Sequence, residues 1–389
     1  MFVAVIGFAM LLSPLLLLII FPMDADAPIP SRSDEISIGE RHDMWSDVLE
    51  EDREYLVYLP ASYNDDTFTE RSYPVLYLLD GDAHFHSVTG VVQFLSEDAN
   101  GTRRIPEMIV VAIPNTNRTR DLTPTHTTIG YGGEEAAFLA DSGGGDAFLR
   151  FIREELFDEI DDEYRTLPHR TIVGHSFGGL AALNALVHTP GMFQGTIAID
   201  PSLWWDEQKL VAQAGEVFQP GHDRTGTVFI SLANNPDIGL GDPMIMENAG
   251  RAFADVLAAA NTERFSSAMG FYENDDHGSV PLISLYDGLI RNFEGYEIDI
   301  FELVNDPTYV VRHFEQVEDK LGIDFPPPES AINDAGYFFV YGAEDYDAAI
   351  EVFSLNVEMY PDSYNTWDSL GEAYKLNGDT DQAIAAYEK

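Results

Sequence analysis

The stretch TIVGHSFGGLAAL, residues 171–183, decides how the rest of the chain is read. A short β-rich run, RTIVGH (170–175), leads into Gly174-His175-Ser176-Phe177-Gly178, and an Ala- and Leu-rich segment of helical composition follows. This is G-x-S-x-G between a strand and a helix. A serine on so sharp a turn adopts strained backbone angles, and glycines two positions to either side let neighbouring chain pass close by without a Cβ clash. The turn lifts the hydroxyl above the sheet and points the N–H of Phe177 at the place where an oxyanion would form. A bare five-residue pattern also describes a glycine-rich turn with a capping serine. The strand before, the helix after and the extra Gly179 make Ser176 a candidate nucleophile. On such an elbow the His175 side chain points elsewhere, so His175 is read as packing.

Working outward, further apolar runs alternate with longer segments of helical character: REYLVYLP (53–60), PVLYLLD (74–80), MIVVAIP (108–114), GTIAID (195–200), TVFISLA (227–233) and AMGFYE (268–273). Several are unbroken rather than alternating, as in strands buried on both faces. The expected fold is α/β, a mostly parallel sheet with helices on both faces. The segment 148–159 is amphipathic and predicts a helix leading to the serine's strand. Functional groups in such sheets lie just beyond the carboxyl ends of the strands.

A serine hydroxyl needs a base within hydrogen-bond reach, and in this architecture the base follows the last strand. His277, in ENDDHGSVPL, follows the run at 268–273 and precedes a helix, whereas His313 lies in the later stretch FELVNDPTYVVRHFEQ, so His277 is preferred. The orienting carboxylate is expected between them, beyond the run at 227–233, where Asp237, Asp242, Glu247 and the amide Asn234 qualify. Asp242 is chosen because it stands before Pro243 and a helix start; a plain helix cap is the competing reading.

Together VLYLLDG (75–81), VGHSFGG (173–179), DPSLWW (200–205), GDPMIMENA and DHGSVPL resemble the esterase branch of the α/β-hydrolases, which includes enterochelin esterases, esterase D and S-formylglutathione hydrolases. The resemblance covers about residues 40–295. It implies the α/β-hydrolase fold and a serine esterase acting through an acyl-enzyme, on siderophore or general carboxylic esters, small or polymeric. In enterochelin esterases the acid lies in an E-P-M-I-M segment; here D-P-M-I-M puts Asp242 in that place. The resemblance also implies a second oxyanion donor at the backbone of Gly81 or Asp82, where a strand-to-loop junction stands in the sequence as well. No cofactor or metal is required; a metal cluster of Asp80, Asp82, His84 and His86 is the lesser reading of DGDAHFH. In NTNRTRDLTPTH (115–126), Arg118 or Arg120 could hold an anionic substrate group, against the simpler reading of ion pairs with surface acids. Trp204 could wall an apolar pocket, with core packing the alternative for it and Trp205. An acyltransferase with the same triad, or an interaction protein with the hydrolase as scaffold, are the rival functions.

The composition narrows the partners. Of 389 residues, 67 are Asp or Glu and 21 Lys or Arg, a formal charge of −46, which repels nucleic acid and anionic lipid. The excess is spread along the chain, in the manner of surfaces that stay soluble in high salt. There is no cysteine, hence no disulfide and no thiolate chemistry. Residues 2–23 carry no charge, so 1–27 is expected to be a signal peptide or an N-terminal membrane anchor, with export to the periplasm or outside the cell and membrane contact only there. The esterase domain is expected over 34–325, ending near the prolines 326–328. Beyond them Asp347, Ala349, Ile350 and Phe353 recur 34 residues later as Asp381, Ala383, Ile384 and Tyr387. Residues 331–389 resemble about one and a half tetratricopeptide units, a short helical repeat segment that must lean on the hydrolase domain and could dock a protein partner.

Overall fold

The computed structural model describes residues 36–97, 103–236, 242 and 244–389. The expected leader or anchor and the candidate Asp237 lie outside these residues. The apolar runs form strands of one sheet: β1 (Glu40–Ser46), β2 (Glu51–Tyr58), β3 (Tyr73–Leu79), β4 (Ile109–Ile113), β5 (Thr166–His175), β6 (Gly195–Ile199), β7 (Gly226–Ala233) and β8 (Phe265–Tyr272). Their spatial order is β1-β2-β4-β3-β5-β6-β7-β8, with β2 antiparallel to both neighbours and the strands from β4 to β8 mutually parallel. This is the α/β-hydrolase sheet. β1 escaped the sequence reading because ERHDMWS is a charged, largely exposed edge strand with no apolar run.

The connections are α1 (Gly81–Ser96), α2 (Arg118–Leu122), α3 (Gly145–Phe151), α4 (Phe157–Glu163), α5 (Phe177–His188), α6 (Trp205–Val217), α7 (Ile245–Ala259) and α8 (Val280–Asn292). The helix expected over 148–159 is there, α3 and α4 being joined by a π-helical stretch, Ile152–Leu156. Alternation along β3 shows why its sequence is apolar throughout. Val75, Tyr77 and Leu79 enter the core shared with α3 to α7, while Leu76 and Leu78 enter the opposite one, with Val88 and Val92 of α1 and Leu285 and Leu289 of α8.

After the sheet come α9 (Ile300–Asn305), α10 (Tyr309–Leu321), α11 (Glu329–Tyr337), α12 (Tyr346–Met359), α13 (Tyr364–Asn377) and α14 (Thr380–Tyr387). Their core, built on Phe314, Ile332, Val352, Phe353 and Leu370, takes in Tyr296 and Leu167 from the sheet domain. Glu329, 3% exposed, accepts the Thr69 N–H at 2.8 Å and the Ser363 hydroxyl at 2.7 Å, tying these helices to the loop before β3. Residues 38–389 accordingly form one compact unit. The 34-residue echo has a packing cause: Phe353 covers Gly336 of α11 as Tyr387 covers Gly371 of α13, each so closely that a Cβ there would stand within 2.7 Å of the ring.

Candidate active site

Three neighbouring strands, β3, β5 and β6, each end in a non-glycine residue at positive φ: Asp80 (54°), Ser176 (62°) and Asp200 (39°). Such angles are costly for L-residues and persist where surrounding contacts hold them. At the middle one, Ser176 has ψ −117° and its N–H donates to Ile199 O at 3.0 Å. The elbow can close because position 174 is glycine; a Cβ there would lie 2.2 Å from the Gly178 carbonyl. Ser176 Oγ lies 3.2 Å from Ser202 Oγ.

His277 stands on the loop after β8. Asp276 anchors that loop by accepting the N–H groups of Gly278 (2.9 Å) and Ser279 (3.0 Å) at the entry to α8. The His277 ring packs against that of His175, centroids 4.4 Å apart, and Nδ1 sits 2.6 Å from Asp200 Oδ2. His175 serves as packing between His277 and His84. Burial, and after it the neighbouring His277, hold the His175 imidazole down to about 4, so it is a neutral support at neutral pH.

The carboxylate on His277 is therefore Asp200, and not the expected Asp242. Asp200 is 1% exposed, and its remaining acceptor capacity is used by the Ala233 N–H (3.0 Å) and the Asn235 side-chain amide (2.9 Å), so the buried charge is fully hydrogen-bonded. The exposed Asp242 instead accepts the Met244 N–H at 2.9 Å and caps the approach to α7. Glu247 pairs with Arg251, and the Asn234 amide donates to Glu273 O. The carboxylate follows β6, one strand earlier than chain order alone implies. A signal was present: GTIAID closes with a carboxylate at the end of the strand beside the serine's own.

The oxyanion candidates Phe177, Gly81 and Asp82 open two adjacent helices, α5 and α1. Ala83 and His84 donate back to Asp80 O at 3.0 and 3.2 Å, while the N–H groups of Gly81 and Asp82 have no protein acceptor among the described residues. Close approach explains the glycine: a Cβ at Gly81 would stand 2.7 Å from Ile113 N. Arg118 joins the two helix starts, holding Asp80 through Nε (2.7 Å) and Nη2 (2.9 Å), reaching His175 O at 3.3 Å and lying over the Phe177 ring. The Asp80 charge is thus neutralised beside the candidate oxyanion donors. The same pairing corrects the expectation that Arg118 or Arg120 is free for substrate. Arg120 is taken by Glu51 and by Asp121 at 2.7 Å. The lesser metal reading also loses Asp80 to Arg118. Trp204, partly exposed, packs edge-on to Tyr131 (5.6 Å) and against Phe177 (6.2 Å), next to Ser176 in the chain, while Trp205 is buried and donates its indole N–H to Thr125.

A serine at a strained elbow, a histidine packed on the residue before it and backed by a buried aspartate, and helix-start N–H groups unpaired among the described residues are the groups that acyl transfer needs. The family model described as "Putative esterase" matches residues 46–277. This chain belongs to that esterase family. Among solved structures it is similar to an IroE-like serine hydrolase from Shewanella oneidensis, with 31% identity, TM-score 0.73, and coverage of 82% of this chain and 99% of that one. Among curated proteins it is similar to the ferri-bacillibactin esterase BesA of Bacillus subtilis, 37% identical over 143 residues, which are 35% of this chain and 50% of BesA. It is also 27% identical over 286 residues to the siderophore triacetylfusarinine C esterase of Aspergillus fumigatus, covering 64% of this chain and 92% of that protein. The match to BesA spans half of that protein's length.

Proposed function

We propose that this esterase hydrolyses carboxylic esters through an acyl-enzyme on Ser176, with siderophore esters as the natural class. The observation that carries the reading is the 2.6 Å contact of His277 Nδ1 with the buried Asp200, which leaves Nε2 to take the Ser176 proton. Ser176 attacks the ester carbonyl, the backbone N–H groups of Phe177 and of Gly81 or Asp82 hold the oxyanion, and the protonated His277 passes its proton to the departing alcohol. Water activated by the same histidine then releases the acid. Asp200 holds the tautomer and stabilises the His277 cation. The siderophore assignment rests on the esterases of Bacillus and Aspergillus to which the chain is similar. The aromatic wall of Trp204, Phe177 and Tyr131 suits a flat or apolar group beside the ester. Export is part of the proposal, supported by the uncharged run at 2–23. So is an accessory role of the tetratricopeptide-like helices.

The test is a fluorophosphonate probe on the wild type, Ser176→Ala and His277→Ala. Turnover of p-nitrophenyl esters, enterobactin and triacetylfusarinine C is followed alongside. Labelling lost in both variants, with siderophore cleavage in the wild type, is the expected result. No labelling at low or high salt would overturn the catalytic reading, and turnover of simple esters alone would overturn the siderophore class.

A further inference from the structure

The nucleophile's hydroxyl has a protein partner that the triad does not explain. Ser202 is 2% exposed, its Oγ lies 3.2 Å from Ser176 Oγ, and no other partner of that hydroxyl exists among the described residues. Its position is held by backbone: the Ser202 N–H donates to Ser176 O at 3.0 Å, and Trp205 N–H closes on Ser202 O at 3.1 Å. Proton accounting settles which hydroxyl donates during reaction. Ser176 has one proton, and it must go to His277 Nε2. The contact then survives only with Ser202 O–H as donor and Ser176 Oγ as acceptor.

We infer that Ser202 is a further catalytic residue, donating a hydrogen bond to Ser176 Oγ and acting chiefly in the step that frees the enzyme from its acyl group. This rests on the esterase reading. In deacylation water adds to the acyl carbon and gives a proton to His277 Nε2. The C–Oγ bond then breaks, its electron pair goes to Ser176 Oγ, and His277 returns the proton there. Ser202 keeps its own proton throughout. The ester oxygen of the acyl-enzyme is a poor acceptor, whereas the departing oxygen carries growing negative charge, so the Ser202 bond strengthens greatly along this step. In acylation the same oxygen starts as a hydroxyl, already a good acceptor, and the gain is smaller.

The experiment compares wild type, Ser202→Ala and Ser202→Thr with p-nitrophenyl acetate, in steady state and in the first turnover, with fluorophosphonate labelling as a check of the elbow. For Ser202→Ala, kcat should fall about 30-fold, the equivalent of about 2 kcal/mol. KM should fall with it and kcat/KM should stay within about threefold, the acyl-enzyme formed in an initial burst of nitrophenol equal to the enzyme turning over about 30-fold more slowly than in the wild type. Threonine, which keeps the donor, should restore kcat. An Ala variant with unchanged kcat, or one losing kcat and kcat/KM equally with no burst, overturns the role. A wild type inert toward every ester overturns the esterase reading and this role with it.

Discussion

Replacing Asp200 by asparagine tests the site at its least anticipated point. In the wild type both carboxylate oxygens only accept: Oδ1 from the Ala233 N–H, Oδ2 from His277 Nδ1 and from the Asn235 amide. An asparagine must place its NH2 on one side. Turned toward His277, it makes Nδ1 the acceptor and moves the ring proton to Nε2, where no proton can be taken from Ser176. Turned the other way, it sets donor against donor at the Ala233 N–H, in a pocket where Asp200 is 1% exposed and water cannot mediate. Either way the cation formed at His277 loses its counter-charge. The expected loss in kcat/KM is about 10⁴-fold, the size seen when the acid of such a triad is made an amide, or about 5 kcal/mol of barrier. Steady-state kinetics on a p-nitrophenyl ester would read it, with Asp242→Asn as the control, expected to stay within about threefold because its carboxylate only caps the approach to α7. If Asp200→Asn kept activity within tenfold while Asp242→Asn lost it, the acid would lie where the chain-order argument put it, and the geometric argument would fail.

Arg118→Ala should lower stability by about 2–3 kcal/mol, the low side of what breaking a buried pair costs because Arg118 is partly exposed and Asn115 still donates to Asp80. It should also slow turnover by returning a bare charge to the oxyanion site, so urea unfolding and kinetics should move together; an unchanged midpoint would count against it. His169 is buried against Phe293 with neither ring nitrogen partnered among the described residues, and burial pushes it down to about 4. The unfolded chain then binds the proton that the folded one refuses. Stability from this site is full above pH 6.5 and falls as pH drops toward 4, by about 3 kcal/mol. His169→Phe should flatten this acid limb in denaturation measured from pH 7 to 4. Removing residues 327–389 should bare Tyr296, Phe314 and Phe325 and give aggregated protein on size exclusion. A monomeric, fully probe-reactive fragment would show that the helices are dispensable.

Much of this molecule could be read from its string of residues because the decisive signals are local. The elbow needs only Gly174, Ser176 and Gly178 between a strand and a helix, and each central strand announces itself by being apolar on both faces. His277 stands out in the sequence because it follows the last strand, where this architecture puts a base. What escaped depends on partners far apart in sequence. Arg118 and Asp80 are 38 residues apart, Arg120 and Glu51 are 69, and Asp200 and His277 are 77. Nothing in the composition near an arginine says which carboxylate will neutralise it. Asp200 was hidden differently: at the end of GTIAID it looked like a strand terminus, and only the pairing of β5 with β6 sets it beside the serine.

The six residues from Asp200 to Trp205 carry the carboxylate on His277, the hydroxyl on Ser176 Oγ and the indole against Phe177. In the proposed reaction, chemistry and selectivity are therefore mechanically coupled here. Inserting or deleting a residue between Asp200 and Trp204 would move the wall only by also moving the groups that make the serine reactive. A lineage exploring new esters would find that segment closed to changes of length. It would have to vary the side chain at 204 or the facing loop that brings Tyr131, and remodelling of this pocket should be concentrated there.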